Sequence, residues 1–224
     1  GPMVCTLHDA VLFDHPESYT RAFGLWYRWL FRRLARRAHT TLVTNSGFSR
    51  ARLAQALAIE PERLHVITPG AGHLDAVRPD ERLIDELGLR GRPFLLAVAS
   101  RNPTKNLLRL VEAWHRLEAG PARLVLVGAA HARVFASSGK LPTADGVIDA
   151  GPVDDASLKA LYGAAAALVF PSLYEGFGLP PVEAMACGCP VIASTAPAVR
   201  EACAGSALEV VPLDTGALAA AMRR

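Results

Sequence analysis

Two glutamates around a glycine-rich turn are the residues of this sequence best suited to chemistry. Residues 174–186 read YEGFGLPPVEAMA and follow the apolar run at 167–170. Gly176 and Gly178 allow a tight turn and a close approach of the backbone to a ligand. The two prolines that follow suit the first turn of a helix, because an amide there has no partner within the helix. This spacing predicts a strand–turn–helix unit whose helix starts beside the glycines.

The free amides at this helix start predict an anion site. The N–H groups of Phe177, Gly178 and Leu179 would point outward at the positive end of the helix dipole, where a diphosphate fits most naturally. Glu175 and Glu183 flank the turn with seven residues between them. Because a carboxylate beside a phosphate would repel it, we interpret both as acceptors for sugar hydroxyls. A helix-start acid favoured by the dipole is the alternative, and it explains only one of the two.

A second group of candidate residues follows another apolar run. Residues 100–106 read SRNPTKN and come after the run at 93–99. Ligands of open α/β sheets bind beyond the carboxyl ends of strands, where this loop would lie. Arg101 and Lys105 would bring two positive charges to a pyrophosphate, the arginine as a planar fork and the lysine as a point charge. A solvated loop with a basic helix start is the alternative, and the helix dipole disfavours it.

Together these motifs resemble the donor site of family 4 retaining glycosyltransferases. Glu175-x7-Glu183 is similar to the Glu-x7-Glu signature of that family, and Arg101 with Lys105 is similar to its diphosphate clamp. The resemblance implies that Glu183 holds the ribose hydroxyls of a nucleotide. It also implies that Glu175 contacts hydroxyls of the transferred sugar near the reacting carbon.

Two further segments resemble parts of the same family. Residues 6–16, TLHDAVLFDHP, are similar to its acceptor-side segment, whose histidine faces the donor sugar. From spacing alone a lone histidine such as His8 is more often structural. The resemblance implies that His8 contacts the sugar or helps to orient the acceptor. Residues 151–153, GPV, are similar to the loop that meets the nucleotide base through backbone groups, which assigns Val153 to the nucleotide site.

The elements that position these residues alternate along the whole chain, which predicts a parallel sheet covered by helices. Strands are expected at 3–7, 40–44, 64–67, 93–99, 123–127, 146–150, 167–170, 190–193 and 208–211. Helices are expected at 17–38, 46–57, 105–118, 130–137, 155–165, 180–187, 197–203 and 215–224. Right-handed crossovers between such strands make a doubly wound, Rossmann-like arrangement.

A break at residues 68–72, TPGAG, predicts the domain boundary. We expect residues 1–72 to form a partial N-terminal, acceptor-side domain and residues 73–224 a C-terminal nucleotide-sugar-binding domain. Three strands before the break are fewer than the roughly 4–6 of a complete open sheet, so we expect a shortened chain. The fold class is α/β of GT-B type, with a doubly wound Rossmann-like C-terminal domain and a partial Rossmann-like N-terminal one.

The function that the resemblance implies is transfer of a hexose from a nucleoside-diphosphate sugar to a hydroxyl acceptor, with retention of configuration. The paired proline of EGFGLPP is similar to mannosyltransferases that use GDP-mannose, and a UDP-linked donor stays open. Cationic side chains and helix amides would stabilise the departing diphosphate. We expect no cofactor and no metal, since no Asp-x-Asp pair stands out. The sequence does not identify the acceptor, which would be a glycan or a lipid-linked group.

Two alternatives to a transferase are open. A shortened chain could be an inert nucleotide-sugar-binding module. A dinucleotide-dependent oxidoreductase shares the doubly wound fold but needs a G-x-G-x-x-G turn after a first strand. The turn at 128–130, GAA, is a poor substitute for that motif, so this class is disfavoured.

Composition limits the partners and the location. Residues are 51% hydrophobic, yet no apolar run approaches the roughly 20 residues that span a bilayer. A net charge of +3 is too small to demand a nucleic-acid partner, and the four cysteines lack metal-site spacing. We expect a cytoplasmic protein. The helix at 21–38 is crowded with several aromatic residues and with five arginines at positions 28, 32, 33, 36 and 37. This pattern is typical either of a solvated stripe or of contact with anionic lipid at the inner membrane face.

Overall fold

The computed structural model describes residues 1–117, 120–129 and 144–224, and in these ranges it contains two parallel sheets. The smaller sheet has the order β1-β2-β3, with strands Met3–Thr6, Thr40–Thr44 and Leu64–Val66. The larger sheet has the order β6-β5-β4-β7-β8-β9. Its strands are β4 (Phe94–Val98), β5 (Arg123–Val127), β6 (Val147–Gly151), β7 (Ala167–Phe170), β8 (Val191–Ser194) and β9 (Leu208–Val210).

The α-helices of the described ranges connect these strands. They are α1 (Val11–Asp14), α2 (Arg21–Ala35), α3 (Gly47–Leu57), α4 (Arg82–Glu86), α5 (Leu107–His115), α6 (Asp155–Ala164), α7 (Leu179–Ala186), α8 (Pro197–Cys203) and α9 (Thr215–Met222). Short 3-10 turns include Gly72–Leu74 and Pro103–Lys105. The predicted helix at 130–137 lies outside the described residues.

The strand order of the larger sheet creates the crevice where a ligand is expected. The chain winds from β4 outward to β5 and β6, then crosses back and continues through β7, β8 and β9 on the other side of β4. The loops after β4 and β7 therefore leave the same edge in opposite directions. In doubly wound sheets this switch point is where ligands bind. The predicted doubly wound α/β architecture is confirmed.

Helices cover both faces of the larger sheet. Residues of α6, α7 and α8 share one apolar cluster with the sheet, and residues of α5 and α9 share the opposite one. All four residues of β7 are buried, which explains why its sequence is continuously apolar rather than alternating. Full burial of a leucine or valine side chain stabilises the fold by about 1.5–3 kcal/mol. The covered faces leave the carboxyl edge of the sheet for ligand binding.

The predicted helix at 17–38 is wrong at both ends. Tyr19 and Thr20 have extended backbone, so α2 begins at Arg21. On the observed helix Trp26 is 54% exposed, whereas the neighbouring aromatic Tyr27 packs against the cluster beneath the helix. The helix therefore leaves a tryptophan on the surface.

The predicted helix at 105–118 starts later than expected because of Asn106. This residue has a φ of 59°, in the left-handed region, which separates the 3-10 turn at Pro103–Lys105 from α5. Its side-chain amide donates to the carbonyl oxygens of Pro171 at 3.1 Å and Pro212 at 2.7 Å. Asn106 thus ties the loop after β4 to the loop after β7.

We expect Gly128→Ala to destabilise the carboxyl edge of the larger sheet, where the switch point lies. Gly128 has a φ of 140°, and a Cβ there would lie 2.0 Å from the carbonyl oxygen of Ala99. Strain and clash together should lower the free energy of unfolding by about 3 kcal/mol or more. Urea denaturation measures this loss. Gly163→Ala is the matched control, because Gly163 is exposed on α6 and a Cβ there would have no atom within 4 Å. This variant should be more stable than the parent by up to about 1 kcal/mol. Equal stability of the two variants would contradict the expectation.

Candidate functional site

An ion pair at the switch point joins two of the predicted site residues. Lys105 ends the 3-10 turn after β4, and Glu175 lies in the loop after β7. The Lys105 Nζ donates to both Glu175 carboxylate oxygens at 2.7 Å. Their side chains are 21% and 10% exposed. Nearby, the Leu173 amide donates to the Thr104 carbonyl oxygen at 2.7 Å, so backbone contact holds the two loops together as well.

The glycine turn before α7 has the geometry that the sequence predicts. Gly178 caps the helix with a φ of 107°, a left-handed conformation that favours glycine. The helix then begins at Leu179 with prolines in its first turn. Among the described residues, no protein group accepts a hydrogen bond from the amides of Phe177, Gly178 or Leu179. These three donors are therefore available for an anion.

Gly176 is the point where the turn touches the smaller sheet. A Cβ on this residue would lie 2.9 Å from both the His8 carbonyl oxygen and the Asp9 Cβ. The Gly176 carbonyl oxygen accepts hydrogen bonds from the hydroxyls of Ser46 and Ser49, two buried side chains of the α3 start. Only glycine fits this approach. The turn is therefore packed between the loops of the two sheets.

A second contact between the halves involves Glu201 on α8. Its carboxylate accepts from the amides of Gly47 at 2.8 Å and Phe48 at 3.0 Å, at the first turn of α3. An acid at a helix N-terminus is favoured by the dipole. Sequence reasoning missed Glu201 because its partners lie more than 150 residues away.

Tyr174, just before the turn, makes a third such contact. Its hydroxyl donates to Asp14 at 2.8 Å, and Arg52 binds the same carboxylate at 2.6 Å. Although burial opposes it, the hydrogen bonds from Arg52 and Tyr174 hold the pKa of Asp14 below its usual value. The carboxylate is therefore charged at neutral pH and links the residue before Glu175 to both α1 and α3.

Arg101 lies on the β6 side of the site. Its guanidinium pairs with Asp149 on β6, and its backbone amide donates to Ala129 after β5 at 3.1 Å. The side chain is 8% exposed, and its Nη1 is buried without a hydrogen-bond partner among the described residues. The structure thus pairs each of the two predicted cations with a different carboxylate. Asp149 is a partner that sequence reasoning did not identify.

Glu183 is buried in α7 and is contacted by two residues that the sequence did not single out. The Tyr162 hydroxyl donates to Glu183 Oε2 at 2.8 Å. His73 Nε2 lies 3.3 Å from Glu183 Oε1. Burial, with the adjacent Glu183 charge, raises the pKa of the Tyr162 hydroxyl far above its usual value. The two glutamates of the predicted motif therefore have separate sets of partners.

The remaining predicted residues lie around this edge. The His8 side chain is exposed, and its carbonyl oxygen accepts from the Thr44 hydroxyl at 3.3 Å. Val153 is partly buried against the apolar cluster of the larger sheet. Their proposed contacts with donor, acceptor or base stay predictions.

Asp9 and Tyr19, in the segment between β1 and α2, are titratable groups close enough to Glu175 to feel its charge. Asp9 accepts from the Val11 amide at 2.9 Å, at the start of α1. Burial, and secondarily the Glu175 charge, raise the pKa of Asp9. Burial and the nearby Asp9 raise the pKa of Tyr19 to about 12. Among the described residues, no group of three or more His, Cys, Asp and Glu side chains has metal-site geometry.

Solved structures with this architecture are GT-B glycosyltransferases. Sucrose-phosphate synthase from Thermosynechococcus elongatus superposes with a TM-score of 0.76 at 27% identity, covering 99% of this chain and 57% of that one. The structure of Anabaena HepE in complex with UDP-glucose superposes with a TM-score of 0.78 at 22% identity, covering 99% of this chain and 62% of that one. The two parallel sheets and the switch-point edge therefore define a GT-B type fold, as predicted.

Sequence comparison then identifies the family. The profile described as "Glycosyl transferases group 1" matches residues 80–223, and that of "Glycosyltransferase Family 4" matches residues 1–71. The chain belongs to the glycosyl transferases group 1 family, and the predicted resemblance is confirmed.

Curated relatives of the chain include mannosyltransferases. The MMP alpha-(1->4)-mannosyltransferase of Mycolicibacterium hassiacum is 30% identical over the whole chain. The O-antigen chain mannosyltransferase RfbU of Salmonella typhimurium is 29% identical over 93% of it. The chain spans 56% of the length of each of these relatives.

We expect Gly176→Ala to loosen the contact between the two halves. The added methyl group would meet the His8 carbonyl oxygen and the Asp9 Cβ at 2.9 Å, so the turn and the smaller sheet must move apart. Hydrogen exchange at the Gly47 amide, which Glu201 protects, should accelerate by about tenfold or more. Gly70→Ala, with no atom within 4 Å, is the matched control and should leave exchange unchanged. Unchanged exchange in both variants would show that the contact tolerates a side chain.

Proposed function

We propose that this chain carries the donor site of a glycosyltransferase that moves a hexose from a nucleoside-diphosphate sugar to a hydroxyl acceptor with retention of configuration. The observation that carries the proposal is the Lys105–Glu175 pair beside three unpartnered amides at the switch point. A cation and amide donors suit a diphosphate, and the adjacent carboxylate suits sugar hydroxyls. Family membership supports the same reaction class.

In this proposal the diphosphate lies against the start of α7. Lys105, Arg101 and the free amides stabilise the negative charge that grows on the leaving group, an electrostatic contribution that needs no reorganisation at the moment of reaction. Glu175 accepts hydrogen bonds from the transferred sugar, and Glu183 accepts them from the ribose. Because both ends of the donor are held in this way, its anomeric carbon is fixed in position for the reaction.

Two regions complete the proposed donor contacts. Val153 meets the nucleotide base through its backbone. The exposed His8 faces the sugar from the smaller sheet, where it contacts the donor or orients the acceptor. Gly176, which touches the His8 carbonyl, sets how closely these two regions approach.

Mannose is the favoured sugar, and GDP-mannose the favoured donor. The mannosyltransferase names of relatives at about 30% identity support mannose, as does the paired proline of the turn. The neighbour solved with UDP-glucose keeps a UDP-linked donor open. Turnover without a metal or cofactor, and a cytoplasmic location, remain parts of the proposal.

A donor-binding module without turnover is the alternative function, because the chain spans only 56% of the length of the mannosyltransferases named above. Release of GDP or UDP from the sugar donor in the presence of mannoside or lipid-linked acceptors would exclude that alternative. Nucleotide binding without release would favour it.

We expect one nucleotide series to stabilise the protein in a thermal-shift panel of GDP, UDP, ADP and their sugars. A ligand at 100 times its dissociation constant adds about 2.7 kcal/mol to the stability of the state that binds it. Lys105→Gln removes the charge but keeps hydrogen-bond donors, and it should weaken diphosphate binding by about tenfold or more. Arg92→Gln, exposed before β4 at the opposite edge of the sheet, is the control and should bind normally. Equal ligand-induced thermal shifts in Lys105→Gln and Arg92→Gln would show that Lys105 does not contribute to the donor site.

Contact of α2 with an anionic membrane surface is a separate part of the proposal. None of the helices in the described ranges has the length and hydropathy to cross a bilayer. Leu25, Trp26 and Trp29 are each more than half exposed on α2. Arg33, whose guanidinium lies 5.7 Å from the Trp29 ring, and Arg36 are exposed beside them. Exposed aromatics flanked by arginines suit an interface of acidic headgroups.

We expect the protein to sediment with vesicles that contain phosphatidylserine and not with pure phosphatidylcholine vesicles. Trp26→Ala combined with Trp29→Ala should reduce the bound fraction several-fold, because both rings would lose their contact with the acyl boundary. Leu108→Ala, which removes an exposed apolar side chain from α5, should bind like the parent. A bound fraction that depends neither on the lipid charge nor on the two tryptophans would refute the membrane contact.

A further inference from the structure

Both carboxylate oxygens of Glu183 are occupied by protein groups from two different elements. Tyr162 on α6 donates to Oε2 at 2.8 Å, and His73 in the 3-10 turn Gly72–Leu74 approaches Oε1 at 3.3 Å. Glu183 is 6% exposed, so bulk water contributes little to its solvation. Its carboxylate orientation is therefore set by these two partners.

Helix α6 supports both partners at once. Tyr162 is fully buried in it, and the raised pKa of its hydroxyl keeps that group a proton donor. Lys159, one turn earlier on α6, donates to the carbonyl oxygens of Leu74 at 2.7 Å and Val77 at 2.9 Å. This amine fixes the segment that contains His73. A single rigid helix thus positions the tyrosine directly and the histidine through the lysine.

The hydrogen-bonding capacity of Glu183 is only partly used by these contacts. An ionised carboxylate has about four acceptor sites; Tyr162 takes one on Oε2, and His73 lies 3.3 Å from Oε1. At least two sites remain, enough for the two hydroxyl donors of a vicinal diol. The His73 side chain beside Oε1 is 43% exposed, whereas the Glu183 side chain is 8% exposed, so the histidine is the solvent-accessible member of this group.

We propose that His73 and Tyr162 are positioning residues that aim the free acceptor sites of Glu183 at the 2′- and 3′-hydroxyls of the nucleotide ribose. This inference rests on the proposed donor site and adds the residues that orient its ribose acceptor. A fixed acceptor binds a diol more tightly than one that must first be ordered, because the ordering cost is already met in the free protein. Since His73 lies between β3 and β4, in the segment that joins the two sheets, this linker would contribute directly to nucleotide recognition.

The test is the preference for ribose over dideoxyribose, measured by calorimetry with GDP, UDP and their 2′,3′-dideoxy forms. The parent protein should bind the ribose form of its nucleotide at least about tenfold more tightly. His73→Leu should reduce this preference several-fold and leave affinity for the dideoxy form unchanged. His73→Gln, whose side-chain amide still donates to the carboxylate, should retain it. A merely structural role would weaken both forms equally.

Tyr162→Phe is the second variant and should also reduce the ribose preference, because it removes the donor to Oε2. Full ribose preference in both His73→Leu and Tyr162→Phe would overturn the inference and leave the proposed function standing. A parent protein that binds GDP or UDP without any ribose preference would overturn it as well. Failure of the parent to bind either nucleotide would instead remove the proposed function, and the inference with it.

Discussion

The ion pair between Lys105 and Glu175 is the interaction on which the rest of the site depends. It joins the two loops that diverge from β4 and β7, and both side chains are largely withdrawn from water. Because a buried charge without its partner is destabilising, replacing either residue alone should cost some stability. In the proposed donor site, a ligand would bring its anion to Lys105 and its hydroxyls to Glu175 together, which favours a ligand that has both.

In the turn at 175–178, different atoms of the same backbone contact the smaller half of the protein and form the proposed anion site. Within the described part of the chain, the amides of Phe177 and Gly178 have no hydrogen-bond acceptor, while the Gly176 carbonyl accepts from Ser46 and Ser49. Because a trans peptide directs its C=O and N–H oppositely, fixing the Gly176 carbonyl also fixes the Phe177 amide. The contact between the sheets therefore helps to orient the Phe177 amide, one of the hydrogen-bond donors of the proposed anion site.

The order of elements and the core of the site were predictable, while the partners of its carboxylates were not. Strands such as β7 are buried on both faces, so continuous apolar sequence identified them, and the turn residues identified the α7 start. Asn106 was missed because its left-handed backbone depends on carbonyls 65 and 106 residues away. His73, Tyr162 and Asp149 follow no periodic pattern, and only the folded chain brings them to Glu183 and Arg101.

The strand order also has a consequence for how the protein folds. β4 lies at the centre of the larger sheet and pairs on one side with β5 and on the other with β7, whose Ala167 lies opposite Leu95. The whole β5–β6 unit is inserted in the chain between the two loops that supply the lysine and the glutamate. Closing such a long loop is entropically costly and slows formation of the non-local pair. A nascent or partly folded chain that has completed only one flank of β4 has only one of the two loops joined by the Lys105–Glu175 pair, so this ion pair can form only late in folding.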